Sequence, residues 1–331
     1  MLADCERTAL HELALTYARS SLRGMAGSVL NLTKLMNRRT FLYHAAVSTA
    51  SLAAIDRFAE SAAAQTPRVK WPVGCFNRPW TTWGMDAALD GIKAAGFNLV
   101  GLLTRTGADP LNGSEATPEY LDALKGKIAA RGLKANLGTV HTRQNLPMDQ
   151  AVADLHQQID NGKKLGLEYL MNFGVDQPRD YAIYYKLMAA AAAYAQERGL
   201  KVVLKPHGGG SGAAEEILRC VKEVNHPNFS VWYDAGNIIH YTGKDPVAEL
   251  QPIARYVTGF CAKDCAKMKG EVMIQFGEGK VDFKGVFASL KTAGFNGPIM
   301  IEGTDPGQSA AEATVHARAN REFLERILAS V

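Results

Sequence analysis

The chain has 331 residues, 47% of them hydrophobic, and a formal net charge of +4. That is enough apolar sequence for a large core, and half of the excess charge falls in the first 64 residues, which hold seven Lys/Arg against five Asp/Glu. The nearly neutral remainder has no basic run or basic–aromatic stripe, which excludes the electrostatic footprint of a nucleic-acid binder. Five cysteines without C-x-x-C spacing exclude a zinc ribbon and a disulfide-stapled fold.

In chain order, the first informative segment is Met36-Asn37-Arg38-Arg39-Thr40-Phe41-Leu42, where paired arginines precede a mildly apolar stretch from Phe41 to Ile55. Ala62-Ala63-Ala64 then offers a small-residue cleavage site before Gln65. This order resembles a bacterial twin-arginine export signal, and the stretch is too short and too mild for a membrane span of about 20 apolar residues. Such signals begin shortly before their arginines, so translation is expected to start at Met36. The expected organisation is an N-terminal extension and signal over residues 1–64, then one domain over residues 65–331. The domain is expected to reach the periplasm already folded, through the twin-arginine export machinery. A genuine N-terminal helix is the competing reading of the first 35 residues, since Leu10, Leu13 and Tyr17 recur at helical spacing.

From Val69 onward, short apolar runs alternate with longer helical segments eight times. The predicted strands are Val69 to Phe76, Asn98 to Thr104, Leu133 to Val140, Leu167 to Phe173, Leu200 to Pro206, Phe229 to Asp234, Val257 to Lys263 and Pro298 to Glu302. Strand–helix alternation of this kind predicts an α/β fold, a closed (β/α)8 TIM barrel. The helix after the second strand opens at Thr117-Pro118-Glu119, a capping threonine with proline at the first helical position, and stops at Arg131-Gly132. Two stretches repeat across the barrel, Ile92-Lys93-Ala94-Ala95-Gly96-Phe97-Asn98 and Leu290-Lys291-Thr292-Ala293-Gly294-Phe295-Asn296, as expected of one unit used repeatedly.

An open doubly wound sheet would want a glycine-rich phosphate turn after its first strand, and Gly74-Cys75-Phe76-Asn77-Arg78-Pro79-Trp80 is not one. Gly208-Gly209-Gly210-Ser211-Gly212 follows the fifth strand and lacks the lysine of a nucleotide loop. It is expected to be a flexible loop over the barrel mouth.

Barrels of this type place chemistry at the C-terminal strand ends. Those ends present Asn77 and Arg78, Thr104 and Arg105, His141, Asn172, Lys205 with His207, Asp234 with Asn237, Cys261 with Lys263 and Asp264, and Glu302. A polar, hydrogen-bonding collection suits a polyhydroxylated ligand, and Trp80, Trp83, Phe173 and Tyr241 are candidates to stack on sugar faces. Cys261, inside an apolar strand with no histidine beside it in sequence, is expected to be a packed core residue rather than a nucleophile.

Four segments in order, Trp232-Tyr233-Asp234-Ala235-Gly236-Asn237, Cys261-Ala262-Lys263-Asp264, Phe276-Gly277-Glu278-Gly279-Lys280-Val281-Asp282-Phe283 and Gly297-Pro298-Ile299-Met300-Ile301-Glu302, resemble the successive signatures of the xylose isomerase-like barrel superfamily of sugar phosphate isomerases and epimerases. The resemblance implies a divalent ion, Mn or Mg, held by Glu, Asp, His and Glu at the ends of strands five to eight. It also implies two glutamates acting as acid and base. Asp234 and Glu302 stand at the matching positions, whereas Lys205 stands at the first glutamate and Cys261 at the histidine. An ammonium group cannot ligate a cation, and a thiol is a poor ligand for Mn or Mg.

Three readings follow. A metal site rebuilt from His207, with His141 or Gln275 joining Asp234 and Glu302, is the first. In the second, Lys205 replaces the ion as a fixed charge or proton-transfer group, with Glu302 as base. The third is a non-catalytic barrel that binds a sugar in the periplasm. Lys205 could equally ion-pair with Asp234 or Glu302 and brace the mouth. The expected activity is proton abstraction next to a sugar carbonyl, as in isomerisation or epimerisation, with elimination or hydration on a keto-sugar as the alternative. Catalytic candidates are Glu302, Lys205 and His207; substrate contacts are expected from His141, Asn172, Asn237, Lys263, Asp264 and Gln275; metal candidates are Asp234, Glu302 and His207. The expected partner is a small sugar and not nucleic acid, since the basic face of an apurinic endonuclease is absent. The oligomeric state is open, with a homo-oligomer among the alternatives.

Overall fold

The apolar runs form a sheet that closes on itself. A computed structural model of the chain describes residues 70–331; the paired arginines, the expected start at Met36 and the cleavage site lie outside the described residues. Strands β1 (Val73–Phe76), β2 (Leu99–Gly101), β3 (Lys134–Thr139), β4 (Tyr169–Asn172), β5 (Lys201–Leu204), β6 (Phe229–Tyr233), β7 (Val257–Ala262) and β8 (Ile299–Ile301) follow one another around a closed barrel. All pairings are parallel, and β1 closes on β8 with Val73 opposite Ile299. Each strand is shorter than its apolar run: β1 loses residues at its start, and the other strands stop before the run ends, leaving its last residues to build the mouth.

Helices α1 (Gly84–Ala94), α2 (Pro118–Ala130), α3 (Met148–Leu165), α4 (Tyr181–Glu197) and α5 (Ala214–Val224) follow the first five strands. Two short helices, α6 (Ala235–Thr242) and α7 (Pro246–Leu250), follow β6, and α8 (Phe283–Thr292) and α9 (Ala310–Ala329) follow β7 and β8. Thr117 caps α2 as its sequence implies, its hydroxyl accepting from the Tyr120 N–H at 3.2 Å. The two repeated stretches also repeat in geometry. Gly96 N–H donates to Lys93 and Phe97 N–H to Ile92, and Gly294 and Phe295 donate in the same way to Lys291 and Leu290. Among the described residues, no helix is long and apolar enough to cross a membrane.

The core has two parts. The larger lies between the strands and the helix ring. The smaller fills the barrel with Phe76, Leu137, Met171, Val203, Trp232, Cys261 and Met300. Trp232 needs a neighbour without a side chain: a Cβ on Gly259 would come within 2.0 Å of its ring. Cys75, Cys220, Cys261 and Cys265 are buried free thiols.

The glycine-rich segment after β5 differs from the flexible flap expected. Ser211 N–H donates back to Gly208 and Gly210 N–H to Val175, while the Ser211 hydroxyl donates to Phe173 O at 2.9 Å. Residues 210–213 are buried. The segment is a packed turn against the connection from β4 to α4, because its backbone groups find partners there rather than in solvent.

Candidate active site

Side chains on a strand alternate between its two faces, so a residue two positions after an inward-facing one also faces inward. Counting two beyond the inner layer gives Arg78, Thr139, Phe173, Lys205, Asp234, Lys263 and Glu302. These seven form the next layer up, at the C-terminal mouth. Lys205, Asp234, Lys263 and Glu302 are all at most 2% exposed.

The five charged members touch. Glu302 Oε2 accepts from the Lys205 ammonium, while its Oε1 lies 2.7 Å from Lys263 Nζ and 2.6 Å from an Arg78 guanidinium nitrogen. Asp234 has divided duties. Its Oδ1 caps α6 by accepting from Asn237 N–H at 2.8 Å, and its Oδ2 sits 3.1 Å from Lys205 Nζ and 3.4 Å from Lys263 Nζ. Asn237 completes the frame: its Oδ1 accepts from Lys263 Nζ at 3.0 Å and its Nδ2 donates to Pro206 O at 2.6 Å. Gly236 lets this helix start approach β7, since a Cβ there would lie 2.7 Å from Lys263 O.

Burial acts against every charge in this ring, and the neighbours decide which shifts prevail. For Glu302, burial is outweighed by Lys205, Lys263 and Arg78, which hold its carboxyl well below the usual carboxylate range. For Lys205, burial is outweighed by Glu302 and Asp234, which hold the ammonium above an ordinary lysine. Lys263 goes the other way: burial lowers it, against the pull of Asp234 and Glu302, and the positive Lys205 and Arg78 push in the same direction. Lys263 donates one hydrogen bond, to Asn237, and ion-pairs with Asp234 and Glu302. Lys205 donates one, to Glu302, and ion-pairs with Asp234, with the Phe173 ring centroid 5.8 Å from its Nζ, so an N–H direction remains for a ligand.

The rest of the mouth is neutral and aromatic. The His207 ring lies 5.2 Å from Phe173 and 4.9 Å from Tyr241, and the Tyr241 hydroxyl is 3.0 Å from its Nε2. His207 exposes its edge to the mouth. Desolvation of its flank, then the Lys205 and Lys263 ammonium groups, push its pKa down to about 4. His141 lies 6.0 Å from Phe173, with Nε2 3.2 Å from the Thr139 hydroxyl, and burial followed by Arg105 and Arg143 lowers its pKa too.

Other residues singled out in the sequence have structural partners. The Asp264 carboxylate accepts from the backbone N–H groups of Cys265, Gly277, Gly279 and Val281, tying the connection from β7 to α8 into one loop. Asn172 donates to Val203 O and accepts from the Tyr184 hydroxyl. Gln275 accepts from the Thr304 hydroxyl at 2.6 Å and donates to His316 O. The polar groups of Asp264, Asn172 and Gln275, expected as substrate contacts, thus have partners in the protein's own backbone and side chains. Asn77 similarly brackets Leu103 and Thr104. Trp80 is fully buried against α9, donating to Ala310 O at 3.1 Å, and offers no stacking face. Asp264 and Asn172 sit one residue off the inward parity, so Asp264 turns into the loop after β7 and Asn172 toward β5 and α4. The same parity singles out Arg78, whose part in the ring no motif had marked.

Residues 89–327 match the sequence model of the xylose isomerase-like TIM barrel family. The chain belongs to that family. Curated relatives within the superfamily include inosose dehydratase of Geobacillus kaustophilus strain HTA426, 28% identical over 156 residues, covering 42% of this chain and 50% of that protein. L-ribulose-5-phosphate 3-epimerase of Salmonella paratyphi C is 37% identical over 79 residues, 24% of this chain and 27% of that protein. The chain therefore spans half or less of the length of the curated relatives it matches. Among solved structures, D-psicose 3-epimerase with D-tagatose from Clostridium cellulolyticum H10 has a TM-score of 0.64 at 15% identity, over 78% of this chain and 99% of that one. A xylose isomerase-like TIM barrel protein from Mycobacterium smegmatis in complex with magnesium has a TM-score of 0.63 at 15% identity, over 79% and 97%. At such identities the likeness is one of fold.

Magnesium in that barrel raises the question of what this family member's residues could hold. Asp234, Cys261 and Glu302 each bring one ligand atom to within 4.8 Å of the others. The set does not fit a hard divalent ion. Both carboxylates already face ammonium groups, and the Cys261 thiol, soft and buried in the inner layer, is held protonated by desolvation. His207, expected as a ligand beside Asp234 and Glu302, is not in that group; both its ring nitrogens lie within 3.3 Å of the Tyr241 hydroxyl.

Proposed function

We propose that the protein is a sugar-active enzyme that removes a proton from the carbon next to a carbonyl, leading to isomerisation or to elimination from a keto-sugar. One observation carries this reading. A buried ammonium with an N–H direction to spare and an imidazole that stays unprotonated at neutral pH border the same Phe173 ring. The first can hold a carbonyl oxygen and the second can take the proton from the neighbouring carbon.

The steps follow from those properties. As His207 takes the proton, the electron pair of the C–H bond moves toward the carbonyl oxygen. The charge that grows there meets the Lys205 N–H and the Arg78 guanidinium, fixed before the reaction begins. The imidazolium then returns its proton. In isomerisation it goes to the former carbonyl carbon while the proton of the neighbouring hydroxyl passes to the former carbonyl oxygen, so that the hydroxyl carbon becomes the new carbonyl; in elimination it goes to a β-hydroxyl that leaves as water while the carbonyl is restored and the carbon–carbon double bond forms. Glu302, the expected base, has both oxygens engaged by three cations, so its role in this reading is to anchor them. Two-base epimerisation needs a second acceptor on the opposite face, and the ring of cations there supports isomerisation or elimination instead. The names of the relatives, a dehydratase among them, support the same class.

The test is incubation of ketoses and inososes in deuterated buffer, with carbon-bound hydrogen followed by mass spectrometry. The unaltered protein should exchange one hydrogen, and His207→Gln should slow exchange about 10²- to 10⁴-fold, the usual contribution of a positioned base. Saturable sugar binding with no exchange would favour the periplasmic binding barrel. Export remains part of the proposal on the pattern from Arg38 to Ala64. N-terminal sequencing of periplasmic protein should begin at Gln65.

A further inference from the structure

We propose that Lys205 occupies the position a divalent ion would take between Asp234 and Glu302, so that this barrel works without a resident metal. The inference rests on the ring geometry and not on which reaction the site performs. The ligand atoms of Asp234 and Glu302 lie within the 4.8 Å span that would hold one ion. Lys205 Nζ is bound by those same two carboxylates, at 3.1 Å from Asp234 Oδ2 and in contact with Glu302 Oε2. Asp234 Oδ2 accepts no hydrogen bond, but the Lys205 and Lys263 ammonium groups stand against it at 3.1 and 3.4 Å, where an ion would have to sit. Glu302 Oε1 is shared by Lys263 and Arg78, and Asp234 Oδ1 caps α6.

Charge leads to the same conclusion. Three cations, Arg78, Lys205 and Lys263, face two carboxylates, so the ring carries a net charge of +1 by that count. A dication added beside the two ammonium groups would raise it to +3 in a nearly water-free site, where like charges repel most strongly. The ammonium cannot step aside. Lys205 is 1% exposed, its stem rises from β5, and Phe173 covers it. A tethered ammonium also acts differently from an ion: it offers a single directed N–H, where an ion would offer open coordination positions to two neighbouring oxygens.

The experiment uses the full chain, expressed with added manganese, and reads metal content by elemental analysis together with melting temperature during titration with Mn²⁺, Mg²⁺, Zn²⁺ and Co²⁺. The unaltered protein is expected to hold far less than one ion per chain and to show no saturable rise in melting temperature. Lys205→Glu, which replaces the ammonium by a third carboxylate, is expected to take up one Mn²⁺ per chain and to melt higher in its presence. One tightly held ion per unaltered chain, removed by chelator with a fall in melting temperature, would overturn the proposal. So would a folded Lys205→Glu that holds none. If that variant does not fold, the unaltered chain decides alone. Neither readout depends on a substrate, so a failed exchange assay would count against the proposed reaction and leave this inference standing.

Discussion

The two halves of the barrel mouth are built from opposite chemistry. On β1 and β5–β8 every residue of the mouth layer is charged, Arg78, Lys205, Asp234, Lys263 and Glu302, and four of the five are buried. On β3 and β4 the same layer holds Thr139 and Phe173, with His141 above them, and no buried charge. Charges this deep are stable only when each one's partners are fixed, so the charged half must be rigid before any ligand arrives. The neutral half has no such constraint and can be shaped to a carbon skeleton. The comparison assigns polar recognition and charge stabilisation to one half and stacking to the other.

Variants in the charged half and in the loop that flanks it should cost most. Asp264→Ala in that loop comes first, because four backbone N–H groups lose their acceptor. At about 1–3 kcal/mol for each unsatisfied group, unfolding should become easier by about 4 kcal/mol or more, measured by denaturant titration. Lys205→Met should follow at about 3–5 kcal/mol, since it leaves Glu302 and Asp234 buried with one cation fewer. A loss below about 1 kcal/mol would mean that water already reaches the ring, and the contrast between the halves would fail.

The fold was legible because a parallel barrel demands eight apolar runs of strand length with helices between them, and helix caps such as Thr117 mark themselves locally. The site was legible only in part. Motifs brought forward Asp234, Lys205, Lys263 and Glu302, but they also brought forward Asp264, whose carboxylate ties the loop after β7 together. Cys261 lies inside the barrel, one layer below Lys263, as a packed thiol. What motifs do not carry is direction. Parity along each strand supplies it, turning Asn172 and Asp264 away from the mouth layer and bringing in Arg78, once the inner layer from Phe76 to Met300 is known. The triple hold on Glu302 joins residues 224, 97 and 39 positions apart in sequence, and no local pattern records that.

Acidification should separate the two halves, because they lose stability in different windows. Glu302, held below the usual carboxylate range, contributes stability that is present above about pH 4.3 and lost as the pH falls toward its folded value. His207, lowered to about 4, and His141, also lowered, act earlier. From about pH 6.5 downward the unfolded chain takes up protons that the folded one refuses, so stability falls there as well. Melting temperature should therefore drop in two stages below about pH 6.5, and His207→Gln should remove part of the upper stage only. On the alkaline side the two lysines act in successive windows: Lys263, lowered, adds stability as the pH rises toward about 10.4, and Lys205, raised, loses its contribution as the pH climbs from there toward its folded value.

The smallest effect on stability should come from the neutral half. Phe173 is half-buried, so Phe173→Leu keeps most of its apolar volume and should cost less than about 1.5 kcal/mol in denaturant titration. Its ring, however, borders Lys205, His207 and His141 at once. Replacing it removes the flat face on which a sugar carbon skeleton would lie, and a lost aromatic contact of about 0.5–1.5 kcal/mol corresponds to roughly a tenfold weaker Kd at most. Binding should thus fall while the ring of charges, and with it the melting temperature, stays nearly unchanged. An unaltered Kd would mean that the charged half alone holds the ligand, and a large loss of stability would mean that Phe173 is needed to keep water from Lys205.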